Sequence, residues 1–264
     1  MRQDKKRNFA GITIRLIILA MMLLTTGYGF AQKPASRNLD KMPVKLETDF
    51  ALSALPPHLR KEATVYLLNP DSGYYTVQQG HNGFICFIAR TEWEWGYFSS
   101  DLATAMSYDA EGARTIFPVY RDVAAMRATG QYTALQVKDS VISRINRGLY
   151  KAPARPGISY MLAPLMRNYS DDPGNNHMMT MSAPHYMFYA PYLTDEDIGG
   201  MVPGPFIGNP GDAVLGKRKG PHGYIIVTAS KAAAAKIITE NADLLKQLGD
   251  YKSYFKLKTE RQQH

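Results

Sequence analysis

The chain predicts an α+β domain: a mainly antiparallel sheet with three helices packed on one face, joined by long Gly/Pro-rich loops. Three observations carry that expectation. Short runs of β-branched and aromatic residues recur between turn signals. Segments near the middle and the end repeat apolar residues at helical spacing and carry their own caps. Asn82-Gly83 marks a hairpin, which joins antiparallel neighbours.

Residues 1–31 read as a secretory signal peptide. Arg2, Lys5, Lys6 and Arg7 precede an unbroken apolar run from Leu16 to Leu24, and Gly29 and Ala31 bracket Phe30. A positive head, a short greasy middle and a small-x-small exit are what the export machinery recognises and cleaves. Cleavage is predicted after Ala31. An uncleaved anchor is the alternative, but the run falls short of the ~20 residues that a spanning helix needs. Arg15 also blocks its extension. The chain is therefore expected to be exported, periplasmic or extracellular, with no stable membrane span after cleavage.

Residues 32–48 are polar and aperiodic, and are expected to be a flexible arm. Residues 49–264 are expected to form a single globular domain. Within it, 55–63 starts a short helix. The runs 63–68, 74–79 and 84–90 are predicted as a three-stranded meander, turned at Asn69–Gly73 and Asn82-Gly83. "TEWEWGYF" (91–98) alternates strictly, which predicts a strand with Trp93 and Trp95 inward and Glu92 and Glu94 outward. Residues 113–120 read as another strand, which Pro118 pushes toward an edge. Helices follow at 121–129, ended by Gly130, and at 133–147. The second opens on a capping box of Thr133 and Gln136, and its apolar stripe is Val137, Val141 and Ile145. Strands are expected at 158–164, 185–191 and 223–229. A last helix is predicted over 230–248, capped by Ser230, ended by Gly249, and lined by Ile237, Ile238, Leu245 and Leu248. The stretches 164–184 and 194–222 are long for loops of a compact domain, and such loops tend to carry function.

Charge and motifs exclude more than they assign. The whole chain is +8, from 31 basic and 23 acidic residues; removing the signal peptide's five basic and one acidic residues leaves +4. No concentrated basic stripe remains, so nucleic-acid binding is not expected. The Lys217–Lys219 cluster reads as a solvated loop tip. "GDAVLGKR" (211–218) mimics a phosphate loop but has Arg218 where a hydroxyl must hold magnesium. No nucleophile elbow or zinc-protease helix is present. "DDPGNN" (171–176) offers oxygens without a full calcium loop. Cys86 is the only cysteine, which excludes an internal disulfide and reads as a buried, inert thiol.

The remaining signal is chemical. Seven of the thirteen methionines fall between Met161 and Met201, interleaved with tyrosines and two histidines. Met packs well on aromatic rings. The expectation is a small-molecule pocket lined by Tyr160, Met161, His185, Met187 and Tyr189, with His222 above it, in a binding or structural domain and not an enzyme. No cofactor is predicted. One alternative is a secreted hydrolase with His185 or His222 as general base beside Asp109 or Glu111. Another is periplasmic copper binding through His177, Met179, Met181 and His185, since thioether and imidazole suit copper. That site requires the Met179 and Met181 sulfurs to reach the His185 ring.

Overall fold

A computed structural model describes residues 39–169, 177–200, 205–208 and 220–257. The expected signal peptide, the start of the expected arm, the 171–176 segment, all of "GDAVLGKR" and the Lys217–Lys219 cluster lie outside the described residues. The fold is mixed α+β with mostly antiparallel strands, as predicted, and no helix among the described residues is long and apolar enough to cross a membrane.

Packing begins inside the segment expected to be an arm. Leu39 and Met42 are buried, and Val44–Leu52 forms helix α1 with Leu46 and Phe50 one turn apart facing the core. The short helix α2 (Pro57–Arg60) uses Pro57 in its first turn, where the missing N–H costs nothing.

The first sheet contains β1 (Thr64–Asn69), β2 (Gly73–Gln78), β3 (Ile85–Ala89) and β4 (Thr104–Tyr108), in the order β2-β1-β3-β4. The predicted meander is corrected here: β3 pairs with β1 in parallel, and not with β2. The Asn-Gly segment is a crossing, not a hairpin. It carries the chain past the start of β1, where the Glu62 carbonyl accepts from the His81 and Asn82 amides at 2.8 and 3.1 Å. Only glycine fits at residue 80, because a Cβ there would strike the Glu62 and Ala63 backbone. The reason for the crossing is burial. All five residues of β3 are buried, whereas β2 is half exposed. A continuous apolar strand belongs between neighbours with both faces covered, and an alternating one at an edge.

Asp109 then caps α3 (Ala110–Thr115), accepting from the Glu111 and Gly112 amides at 3.0 Å each. α4 (Phe117–Thr129) follows at once. The strand predicted over 113–120 is thus helical: Pro118 lies in a first helical turn, not on a sheet edge. Gly130 ends α4 in the left-handed region, and α5 (Ala134–Asn146) opens on the predicted capping box, both of whose hydrogen bonds form.

The second sheet contains β5 (Ile158–Met161), β8 (His185–Tyr189), β9 (Phe206–Gly208) and β10 (Tyr224–Thr228), in the order β5-β8-β10-β9, all antiparallel. Its β5 lies beside β4, stitched by two serines: Ser107 Oγ donates to the Tyr160 carbonyl at 2.9 Å and Ser159 Oγ to the Ser107 carbonyl at 2.5 Å. β6 (Met166–Tyr169) and β7 (Met178–Met181) form a separate antiparallel pair inside the stretch expected to be a loop. α6 (Asp195–Ile198) and β9 likewise interrupt the second expected loop. The predicted final helix is two helices, α7 (Lys231–Glu240) and α8 (Ala242–Tyr251), broken at Asn241, whose backbone leaves the helical region; Gly249 lies inside α8 and does not end it.

Helices cover both faces of the first sheet, where one covered face was predicted. Val65, Leu67, Cys86 and Ile88 meet α1 and α8 on one side. Phe87 and Tyr108 meet Phe117, Met187, Tyr189 and Tyr224 on the other. Trp93 joins a third cluster, between α4 and α5, with Val119, Val123, Val137 and Val141.

Candidate functional site

The expected pocket residues are mostly core. In the β5–β8 register Met161 faces His185, and Ser159 faces Met187. Residues directly opposite in an antiparallel pair share a face. Met161, His185, Met187 and Tyr189 therefore lie on the inner face, where Met161, Met187 and Tyr189 pack in the aromatic core with Tyr224. Tyr160 lies on the opposite face, against Phe84 and Tyr186. The Tyr189 hydroxyl donates to Asp109 at 2.8 Å, and its burial holds the phenol far above its usual range.

The two histidines are held apart. His185 Nδ1 lies 2.7 Å from the Ala183 carbonyl, and His222 Nε2 lies 3.1 Å from the Lys151 carbonyl. His185 pairs with Thr228, at the far end of β10 from His222. At strand rise the ends of the five-residue β10 lie ~13 Å apart. Burial lowers both rings' proton affinity, His222 to about 4. Asp109 and Glu111 serve local structure: Asp109 also accepts from Ile158 N, and Glu111 accepts from Ala154 N and Arg114. Of the copper alternative, Met179 and Met181 belong to the β6–β7 pair, where Met181 faces Met166, and Met179 is exposed; His185 belongs to another sheet. No three His, Cys, Asp or Glu side chains meet among the described residues.

The site that does assemble lies on "TEWEWGYF", which is not a strand. It is an irregular loop between β3 and β4, pinned from behind by buried Trp93. Arg127 of α4 closes its neck: one guanidinium nitrogen donates to the Arg90 carbonyl at 3.3 Å and another to the Ser99 carbonyl at 2.7 Å. The Phe98 ring lies under the same guanidinium, 4.6 Å away.

This loop walls a cavity of ≈160 Å³, together with β3, β4, α4, β5 and β6. Its lining includes Thr91, Glu92, Glu94, Thr104, Tyr120 and Asn168, with Trp93 and the methionines 106, 161 and 166. Met161 is the one expected pocket residue that reaches it. Four buried side-chain polar atoms lack a hydrogen-bond partner among the described residues, and three of them, Thr91 Oγ1, Glu92 Oε2 and Thr104 Oγ1, belong to this lining. Buried polar groups are nearly always paired, so an unpaired cluster around one void calls for an explanation. Thr91 and Thr104 are only 3% and 6% exposed.

The carboxyls are perturbed. Burial, and then the neighbouring Glu94 charge, push Glu92 up to about 8. Burial also raises Glu94, against backbone hydrogen bonds that include one from Trp93 N at 3.4 Å. Behind them Tyr120 joins Tyr108, whose hydroxyl lies 2.8 Å from that of Tyr224. All three phenols are held well above their usual range, chiefly by burial, and stay neutral. The chemistry on offer is hydrogen-bond acceptance, charge compensation and proton exchange at a carboxyl in a small, half-apolar chamber.

Sequence reasoning placed these glutamates on the solvent face of a strand. The signal that marked them is the alternation itself, two carboxylates set between two tryptophans. The chain turns at residues 94–96, so the alternation is not kept: Trp93 packs among the helices, Trp95, expected inward, is exposed, and Glu92 and Glu94 line the cavity. Comparisons with protein-family models, curated proteins and solved structures find no match to this chain.

Proposed function

We propose that this is an exported small-ligand-binding domain whose ligand occupies the cavity behind the 91–98 loop. The observation that carries the reading is that three residues lining one chamber, Thr91, Glu92 and Thr104, each hold a buried side-chain polar atom without a partner. A domain with no ligand to meet has no use for that cost, since each unpaired buried group destabilises by about 1–3 kcal/mol. The N-terminal export pattern supports the localisation. A hydrolase acting through His185 or His222 is the lesser reading, because neither ring lines the cavity and a backbone carbonyl lies against each.

The chain carries its own reporter. Its two tryptophans, Trp93 and Trp95, both lie on the cavity loop. A panel of small amines, polyols and carboxylic acids, titrated to millimolar concentration, is expected to contain members that change the tryptophan emission saturably. Thr104→Val removes one orphaned hydroxyl at constant shape. It is expected to raise the stability of the free protein by about 1 kcal/mol while weakening those members. A panel with no saturable member, or binding untouched by Thr104→Val, would refute the cavity as a ligand site.

A further inference from the structure

We propose that the cavity takes a small organic cation carrying N–H donors, an alkylammonium or amidinium group, with Glu92 and Glu94 as its counter-ions. The proposal rests on the ligand-binding reading above and names the ligand's chemistry.

The lining offers acceptors and no competing cation. Glu92, Glu94, Thr91 and Thr104 all line the cavity, and none of its described lining residues is Lys, Arg or His. An anionic ligand would find no cationic partner among the described lining residues, and wherever either carboxyl ionises, like charges in that poorly screened chamber repel far more than in water. An ammonium group supplies the missing positive charge and donates up to three hydrogen bonds, and three lining residues, Thr91, Glu92 and Thr104, each hold an acceptor atom without a partner. The remaining wall suits an alkyl stem: the Trp93 and Tyr120 rings and three thioethers are polarisable and apolar. Aromatic faces also attract cations directly.

Size separates this ligand from a bare metal ion. The chamber's ≈160 Å³ is about ten times the ~10–15 Å³ that one water needs. A dehydrated ion would rattle there with only two carboxylates near it. A four- or five-carbon amine fits within it, with room for water beside it.

The charge states give the proposal its signature. The titratable groups facing Glu92 are Glu94 on its own loop, Tyr120 on α4 and Tyr169 on β6, the last beside Asp101 and Arg127. Both phenols are raised and remain neutral. Glu92, with its affinity for a proton pushed up to about 8, is protonated in the empty cavity at pH 7. An arriving ammonium ion needs the carboxylate, so the Glu92 proton leaves to the buffer as the ion pair forms. Affinity should therefore rise by up to tenfold per pH unit below pH 8 and level off above it.

Calorimetry with n-butylammonium, tetramethylammonium, n-butanol and butyrate tests this. The expected result is saturable n-butylammonium binding, at least tenfold tighter than n-butanol, with no butyrate binding. Tetramethylammonium, which has no N–H, should bind at least tenfold more weakly than n-butylammonium. Enthalpies in buffers of different ionisation heat should report release of up to one proton at pH 7. Glu92→Gln should fold, weaken n-butylammonium at least tenfold, and abolish proton release. If n-butanol or butyrate binds as tightly as n-butylammonium, or Glu92→Gln leaves its affinity and proton release unchanged, the cation assignment falls while the ligand-binding reading stands. If no probe of any charge binds, both fall.

Discussion

Glu92 and Glu47 are the residues where burial and charge conflict most plainly. Glu47 of α1 is 2% exposed, accepts from Leu68 N at 2.9 Å, and is pushed up to about 7, first by burial. Glu92 is pushed to about 8. Both carboxyls hold a proton more tightly in the folded chain than in the unfolded one. Below the unfolded value near 4.5 both states are protonated and neither residue costs stability. As pH rises from there toward the folded values, the unfolded chain ionises first, and stability is lost. The melting temperature should therefore fall between pH 5 and pH 8. Glu92→Gln should flatten part of that fall and gain roughly 1–3 kcal/mol at pH 8. A profile identical to that of the parent would show that Glu92 titrates normally. Cys86 is the simpler case: one cysteine inside an apolar run already read as an inert thiol, and its burial in β3 pushes the thiol well above its usual range. The glutamates were illegible because a carboxylate's surroundings come from other elements, here β4, α4 and β6.

Segments with local caps were read well, and segments whose neighbours decide their form were not. The Thr133–Gln136 box and the Gly130 end are settled within one turn of chain, and both formed as predicted. Pro118 suits either a strand edge or a first helical turn. Asp109, nine residues earlier, decides by nucleating α3, after which α4 follows directly. The 91–98 loop is the sharper case. Its period of two is a feature of the sequence, but the chain turns at residues 94–96 and makes no ladder, and Arg127 ties the loop's ends together. Arg127→Met should open that neck. It should cost about 2–4 kcal/mol, from charge-assisted hydrogen bonds left unmade in a buried site. It should also shift tryptophan emission to the red as Trp93 loosens. Unchanged emission together with an unchanged denaturation midpoint would mean that the loop holds its shape without the clamp.

The molecule is organised around one sheet with a core on each side. Leu248 of α8 is fully buried against α1 on the face away from the tryptophans. Leu248→Ala should cost about 2–5 kcal/mol. If the two cores unfold as one cooperative unit, its tryptophan and circular-dichroism transitions should shift together in urea. A tryptophan transition left in place would divide the chain into two cooperative units. The amino-acid sequence by itself determined the α+β class, most strands and helices, and the inert cysteine. Those follow from side-chain periodicity and from capping groups within a few residues of one another. Only the tertiary structure decided that β3 crosses to the far side of β1, that helices cover both faces, and that one face of β8 in the Met/Tyr/His stretch is core. It also decided that two glutamates read as solvent-facing line a cavity. Each of those outcomes depends on which distant segments remove water from a side chain, and that information is shared among elements that no local pattern connects.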